Sequence, residues 1–316
     1  MDHRQPDVLD VAAGVILNES GQILIAQRPE HLQQGGLWEF PGGKLEARET
    51  PRQALDRELQ EELDIQVESA SPLMTLRHDY PDRRVRLHVW RVECFSGTPQ
   101  GLQGQPINWV SRSDLPGYEF PAANGPIVTA ARLPDRYAIV DGPGEDGEDF
   151  LAKIEEHANR GIEMIRLRAY HLRSADYLAL ARRAANFCKE RGIALLVNGS
   201  ATLSEAAGAA GLHLRSDELM CLSRRPLGST QWVAASCHDA AQMEHAGRIG
   251  VDFVVLGPVL PTATHPDAPT LGWGNFAKLV DSAALPVFAL GGLSESHLDE
   301  AKQAGAQGIA AIRGLI

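Results

Sequence analysis

Between residue 137 and the end of the chain, short apolar runs recur at 137–140, 164–167, 194–197, 211–214, 232–235, 253–256, 287–289 and 308–311. Most are separated by Ala-rich helical stretches, too long for hairpins and long enough for crossovers between parallel strands. Eight such alternations predict an α/β domain, a (β/α)8 or TIM barrel. Only residues 312–316 follow the last run, so the barrel is expected to have a truncated last helix.

In such a barrel the polar and glycine positions at strand C-termini build the site. Here these are Arg166, Arg168, Asn198, His213, Ser236, His238, Gly257, Thr262, Thr264, Gly291, Gly292, Arg313 and Gly314. Glycines after the last two strands suit a phosphate cradle of backbone N–H groups, helped by a helix expected to start at Ser294. His238 reads either as a helix-start residue or as a proton carrier.

The first half is organised around 42–65, GGKLEARETPRQALDRELQEELDI. Thr50 suits an N-cap, Pro51 the first helical position, and residues to Leu63 are good helix formers. Glu58, Glu61 and Glu62 fall at i, i+3 and i+4, so three carboxylates share one face. A solvated acidic face would account for the triplet alone. A bound cation would offset the repulsion, and oxygen-only ligands favour Mg²⁺ or Mn²⁺. Around this helix, strands are expected at 8–17, 23–27 and 84–95 and a second helix at 122–131, giving an α+β sandwich. The Pro-containing junction at 132–136 divides the chain into domains 1–133 and 134–316.

The net charge of −11 is spread over both halves, which argues against long nucleic acid as a partner and for small-molecule ligands. Cys94, Cys188, Cys221 and Cys237 lack C-x-x-C spacing and read as reduced thiols. A polar N-terminus and no bilayer-length apolar run fit a cytoplasmic protein with no membrane partner. Oligomerisation is left open.

The 42–65 stretch resembles the Nudix box, G-x5-E-x7-R-E-U-x-E-E-x-G-U, at every fixed position except Asp64, where the family has glycine. WEFPGGKLE, YPDRRVRLHVW, GQPINWV and FPAANGPI are similar to the MutT branch of that family. The resemblance implies Mg²⁺-dependent hydrolysis of nucleoside triphosphates to monophosphate and pyrophosphate, with a preference for oxidised guanine nucleotides such as 8-oxo-dGTP. It implies Gly42 (through its carbonyl), Glu58, Glu61 and Glu62 as metal ligands, and Asn124 as the reader of the purine edge. It also implies Arg28, Phe40 and Asp82 as nucleotide-pocket positions. Arg57 is expected to orient Glu49 or a neighbouring carboxylate, because guanidinium does not deprotonate. Gln103 replaces an acidic residue common in this branch. The general base is therefore open between Glu49, Glu61 and a metal-bound hydroxide.

The segments LLVNGS…GLHL, ASCHDAAQ, VVLGPVLPTATH and PVFALGGLSESHLDEAKQAGAQGIAAI resemble the thiamine-phosphate synthase/TenI family over 137–316. The resemblance implies a thiazole or pyrimidine phosphate ligand held by Arg168, Asn198, Thr262, Thr264, Gly291, Gly292, Arg313 and Gly314. Several functional positions differ: Tyr170 and His265 stand for lysines, Gly199 for an aspartate, and the second metal-binding aspartate is Glu218 or displaced to Asp217. Losing those charges argues against full synthase activity. The TenI branch, a thiazole tautomerase, implies proton transfer by His238. The fusion leaves two alternatives. The first domain hydrolyses a thiamine-type or pyrimidine diphosphate, or the barrel is a ligand-sensing module.

Overall fold

Alternation along the first strands decides how the N-terminal unit is layered. In β1 (Val8–Leu17), Ala12 and Ile16 face one side of the sheet, and Ala13 and Val15 the other. In β2 (Ile23–Gln27), Leu24 joins the first set, Ile23 and Ile25 the second. Two apolar faces require two covers. The computed structural model, which describes residues 8–31, 33–79, 84–142, 147–262 and 269–315, supplies one helix for each. Helix α1 (Pro51–Leu63) covers the first face with Ala54, Leu55, Leu59 and Leu63. Helix α2 (Gly125–Arg132) covers the second with Ile127, Ala130 and Ala131. It follows a 3-10 turn at Ala122–Asn124 that was expected to be part of one helix. Pro126 accounts for the break, because it fits only the first helical turn.

The sheet runs β3-β2-β1-β6-β5, with β4 paired to β1 and β7 to β2; these are β3 (Trp38–Glu39), β4 (Gly42–Lys44), β5 (Gln66–Asp79), β6 (Arg84–Ser96) and β7 (Ile107–Val110). β1 and β6 are parallel and the other pairs antiparallel. The long β5 was not expected from sequence. Its register against β6 slips at Val67/Ser69, Ser69/Ala70 and Pro72/Met74, so apolar residues do not alternate and Pro72 is tolerated at an irregularity.

Helix α1 begins as its sequence requires. Thr50 Oγ1 accepts from Gln53 N at 3.3 Å, and Gln53 Oε1 accepts from Thr50 N at 2.9 Å, a reciprocal capping box. Asp64 ends it in the left-handed conformation, φ 58° and ψ 38°, the geometry of the glycine it replaces.

The chain divides into two compact units, Met1–Leu133 and Pro134–Ile316. The second is a closed parallel barrel of β8 (Arg136–Asp141), β9 (Met164–Arg168), β10 (Ala194–Val197), β11 (Gly211–Leu214), β12 (Trp232–Cys237), β13 (Phe253–Leu256), β14 (Val287–Leu290) and β15 (Gly308–Ala311). Helices α3 (Gly147–Asn159), α4 (Ser174–Glu190), α5 (Ala201–Ala207), α6 (Ser216–Cys221), α7 (Ala240–Ile249), α8 (Gly272–Asp281) and α9 (Leu298–Gln303) stand between successive strands. Each strand sends one set of residues outward to these helices, such as Ile165, Leu167, Val254 and Leu256, and the other set inward. Inward rings of Tyr137, Phe253 and Phe288 pack with centroids 5.3–5.8 Å apart and fill the interior. No helix follows β15 among the described residues. The helix expected from Ser294 is a 3-10 turn, Glu295–His297, before the short α9. No described helix is long and apolar enough to cross a membrane.

Candidate functional site

In the first unit, β4 brings two glycines against the carboxylates of α1. Gly42 has φ 145°, and a Cβ on it would lie 2.1 Å from the Ala12 carbonyl oxygen. A Cβ on Gly43 would lie 2.2 Å from Cδ of Glu58, so the Glu58 carboxylate occupies the space a side chain would need. Arg57 organises the rest. Its Nε and Nη2 donate to the two oxygens of Glu49 at 2.9 Å each, its Nη1 to Glu58 at 2.8 Å, and its Nη2 also to the Lys44 carbonyl at 3.0 Å. Glu61 lies 3.5 Å from Nη1. Glu49 also accepts from the Glu46 N–H at 2.8 Å, and the bonds from Arg57 and then Glu46 hold its pKa below the ordinary value. Both Glu49 oxygens are therefore engaged.

Glu62 stands apart and accepts from Gly42 N at 3.2 Å. Burial pushes its pKa up to about 7, against the Gly42 bond, and the negative charges of Glu39 and Glu58 push the same way. Glu39 was not anticipated. It lies on β3, forms an ion pair with Arg28, and is itself shifted upward by burial. Its only sequence signal was its place just before the glycine pair. The loop carrying Gln103 is tied to the end of α1, with Leu102 N donating to the Glu62 carbonyl at 3.0 Å and Gln105 Nε2 to the same oxygen at 3.2 Å.

This donor set fits a hard divalent cation. The side chains are all carboxylates, and half-buried Glu62 feels the negative charges of Glu39 and Glu58. As they stand, no three His, Cys, Asp or Glu side chains among the described residues already converge. Glu58 and Glu61 are drawn to Arg57 and Glu62 to Gly42.

Of the expected nucleotide-pocket residues, Arg28 is engaged by Glu39 and donates Nε to the Gln33 carbonyl at 3.2 Å. Phe40 is buried and stacks on Phe120, centroids 5.4 Å apart and planes 19° off parallel. Asn124 opens α2, with no side-chain cap bond. Its amide has no hydrogen-bond partner among the described residues and can present both a donor and an acceptor. Asp82 lies outside the described residues.

In the second unit a cavity of about 950 Å³ opens at the C-terminal ends of the strands, lined by Arg168, His238, Thr262, Gly291, Gly292, Arg313 and Gly314 of the expected set. Gly291 (φ 106°) and Gly292 (φ 65°) cannot carry side chains, because each Cβ would lie 2.4–2.6 Å from Pro258 or Pro261. His238 Nδ1 is 2.7 Å from the Gly257 carbonyl, which only accepts, so Nδ1 is the donor in that bond and Nε2 is left without a hydrogen-bond partner among the described residues. Asn198 is not on the cavity wall. It is buried, accepting from Arg166 Nε at 3.3 Å and donating to the His213 carbonyl at 2.9 Å. His213, also buried, bridges Tyr137 and Ser236 at 3.0 and 2.9 Å, and burial lowers its pKa well below the usual value. Arg168 is paired with Asp141, and Asp217 and Glu218 are both engaged by Arg215. Thr264 and His265 lie outside the described residues.

The family model of the NUDIX domain matches residues 12–130, and that of thiamine monophosphate synthase matches residues 136–315. The chain belongs to both families. Its Nudix domain is similar to the 8-oxo-dGTP diphosphatase of Escherichia coli K12, 42% identical over 120 residues that make up 38% of this chain and 93% of that protein. It is also similar to the CTP pyrophosphohydrolase of the same organism, 39% identical over 123 residues, 39% of this chain and 90% of that protein. The barrel is similar to a putative thiamine-phosphate synthase of Geobacter sulfurreducens, 34% identical over 182 residues, 57% of this chain and 85% of that protein. The first domain is thus a Nudix hydrolase, of a family that uses divalent cations, and the second a thiamine-phosphate synthase-like barrel.

Proposed function

We propose that the Nudix domain hydrolyses 8-oxo-dGTP to 8-oxo-dGMP and pyrophosphate with Mg²⁺, clearing an oxidised precursor from the pool used in DNA replication and so serving DNA repair. Two relatives of nearly equal identity act, by name, on different bases, so overall similarity does not choose the substrate. The observation that carries the choice is Asn124, which opens α2 a few residues after Phe120, the ring stacked on Phe40, and whose amide has no hydrogen-bond partner among the described residues. An amide with one donor and one acceptor suits the edge of a purine.

The chain's own residues then divide the work. Arg57 fixes Glu49 and steadies Glu58, and the missing side chain of Gly43 lets Glu58 lie against β4. Glu58, Glu61 and Glu62, with the Gly42 carbonyl, would hold Mg²⁺. The cation supplies neutralisation of phosphate charge and an acidified water. Because both oxygens of Glu49 are committed, Glu61, with 60% of its side chain exposed, is the better candidate to take the proton from the attacking water.

For the barrel we propose phosphate-ester binding at Gly291, Gly292 and Gly314, with His238 Nε2 moving a proton on the ligand. The engagement of Arg168 by Asp141, of Asp217 by the Arg215 side chain and of Glu218 by the Arg215 backbone N–H supports a tautomerase-type role over diphosphate displacement. The fusion itself favours one other reading for the first domain, hydrolysis of a thiamine-type diphosphate. Product analysis with Mg²⁺ at low concentrations of 8-oxo-dGTP, dGTP, CTP and thiamine diphosphate tests both. Preference for 8-oxo-dGTP is expected. Preference for thiamine diphosphate would replace this reading with the pathway one, and preference for CTP would show that Asn124 does not select the base.

A further inference from the structure

The last turn of α1 carries Glu61 and Glu62 and ends in carbonyls that no helical N–H can reach. The Asp64 N–H turns back to the carbonyls of Gln60 and Leu59, so those of Glu62 and Leu63 depend on another segment. The loop between β6 and β7 supplies it. Gln100 N donates to the Leu63 carbonyl and Leu102 N to the Glu62 carbonyl, each at 3.0 Å. A side chain completes the set. Gln105, only 9% exposed, donates Nε2 to the Glu62 carbonyl at 3.2 Å, and its Oε1 accepts from Gln103 N at 2.8 Å. Both ends of one buried amide are thus used, one on α1 and one on the loop itself. Gly101 lets this happen, because a Cβ there would lie 2.0 Å from the Gln105 carbonyl oxygen. The next residue, Pro106, accepts from Gln27 N at 2.9 Å and joins the loop to the end of β2. Glu62 is therefore held twice, at its carboxylate by Gly42 N and at its carbonyl by the loop.

We propose that Gln105 is a positioning residue of the Nudix site, whose amide fixes the backbone of Glu62 and with it the direction in which the Glu62 carboxylate leaves α1. The proposal rests on the reading of Glu62 as a cation ligand. Helix ends fray, and this one must keep its shape while Glu39 and Glu58 repel the Glu62 carboxylate. The carbonyls there are also the negative end of the helix dipole, next to carboxylates. Donors from Gln100, Leu102 and Gln105 offset that charge and hold the turn closed. Gln105 differs from the two backbone donors in being a side chain, so it can be removed without altering the chain path.

The test is Mn²⁺ binding to the full chain without nucleotide, followed by electron paramagnetic resonance, alongside kcat, KM and melting temperature. Gln105→Met keeps the length of the side chain and removes both bonds. Gln105→Asn keeps an amide but draws it back by one methylene, a milder change that serves if the methionine variant does not fold. Glu62→Gln in the same series marks the bound Mn²⁺ that belongs to this site. Both Gln105 variants are expected to weaken that Mn²⁺ about tenfold, the usual worth of a group that orients a ligand. At saturating Mg²⁺ kcat should fall by a similar factor while KM stays within about twofold, because the amide does not bear on the nucleotide. An amide with a purely structural role would lower the melting temperature and leave Mn²⁺ affinity alone. The proposal is overturned if Glu62→Gln weakens Mn²⁺ and the folded Gln105 variants bind it within about twofold of the native protein. Native affinity in Glu62→Gln would refute the ligand reading itself, and the role of Gln105 with it.

Discussion

Replacing Arg57 by lysine keeps the positive charge and removes the fork. In the native site the guanidinium makes three hydrogen bonds to carboxylate oxygens, two to Glu49 and one to Glu58, with Glu61 close by. An ammonium on a flexible stem can satisfy one carboxylate well, so about two charge-assisted bonds are lost. Each nets about 1.5–3 kcal/mol when well formed. Arg57 and Glu49 are 24% and 13% exposed, and solvent reduces the sum to about 2–3 kcal/mol of domain stability. The effect on rate is larger, because Glu58 and Glu61 lose their common anchor, and misplacing catalytic groups by about 1 Å costs on the order of 10²-fold. The assay is kcat and KM with saturating Mg²⁺, alongside urea denaturation, for Arg57→Lys, Glu49→Gln and the double variant. Both single changes break the same pair, so the double variant should be scarcely worse than the poorer single one. A fully additive double variant, or an Arg57→Lys enzyme within about twofold of wild-type kcat, would show that Arg57 does not position these carboxylates.

The remaining expectations concern the same domain. Glu61→Gln should lower kcat by about 10²-fold or more without changing the melting temperature, and near-native turnover would remove Glu61 from the proposed metal site. Asn124→Ala should cost about tenfold in kcat/KM for 8-oxo-dGTP relative to CTP, one hydrogen-bonded edge; an unchanged ratio means another residue reads the base. Glu62 has a folded-state pKa of about 7 against an ordinary 4.5. The folded state therefore keeps a proton that the unfolded chain has lost. With a chelator present, stability should fall as pH rises across that interval, by on the order of 2 kcal/mol, and level off above it. Glu62→Gln should flatten the profile; an equal slope in the variant would assign it to another group. Asp64→Gly gives up the Gln60–Asp64 hydrogen bond of 2.8 Å but relieves a left-handed residue, for a net gain of about 0.5 kcal/mol in denaturant titration. A loss of stability would mean that the side chain matters more than the backbone there.

What the sequence could and could not reveal follows from the range of each interaction. The cap at Thr50, the shared face of Glu58 and Glu61 and the left-handed Asp64 are set within a helix turn, and all were legible in a single stretch. The barrel strands were legible because burial on both faces leaves unbroken apolar runs. β5 was not, since its irregularities against β6 erase the alternation. Glu39 lies on β3 and Arg28 just past the end of its partner β2, and Asp141 and Arg168 are direct neighbours across β8 and β9. Register between strands is a tertiary property, so those pairings had no sequence signature.

On the proposed readings the two domains meet the same chemical problem, a phosphate group in a protein of net charge −11, with opposite electrostatics. The Nudix domain presents carboxylates, which repel a phosphate until a divalent cation inverts the sign of the site; Glu62 shows the strain of that arrangement as an upward shift caused by burial beside like charges. The barrel, on the proposed reading, offers glycine backbone on its cavity and would need no inversion for the anion to enter. Occupancy of the first site should therefore depend steeply on free Mg²⁺, while the second should follow ionic strength with little dependence on the cation. That difference makes the domains separable in the intact chain. A chelator that stops nucleotide hydrolysis yet leaves phosphonate binding at the barrel intact would show that each site carries its own solution, whereas parallel loss of both would mean that the barrel also holds its ligand through a cation.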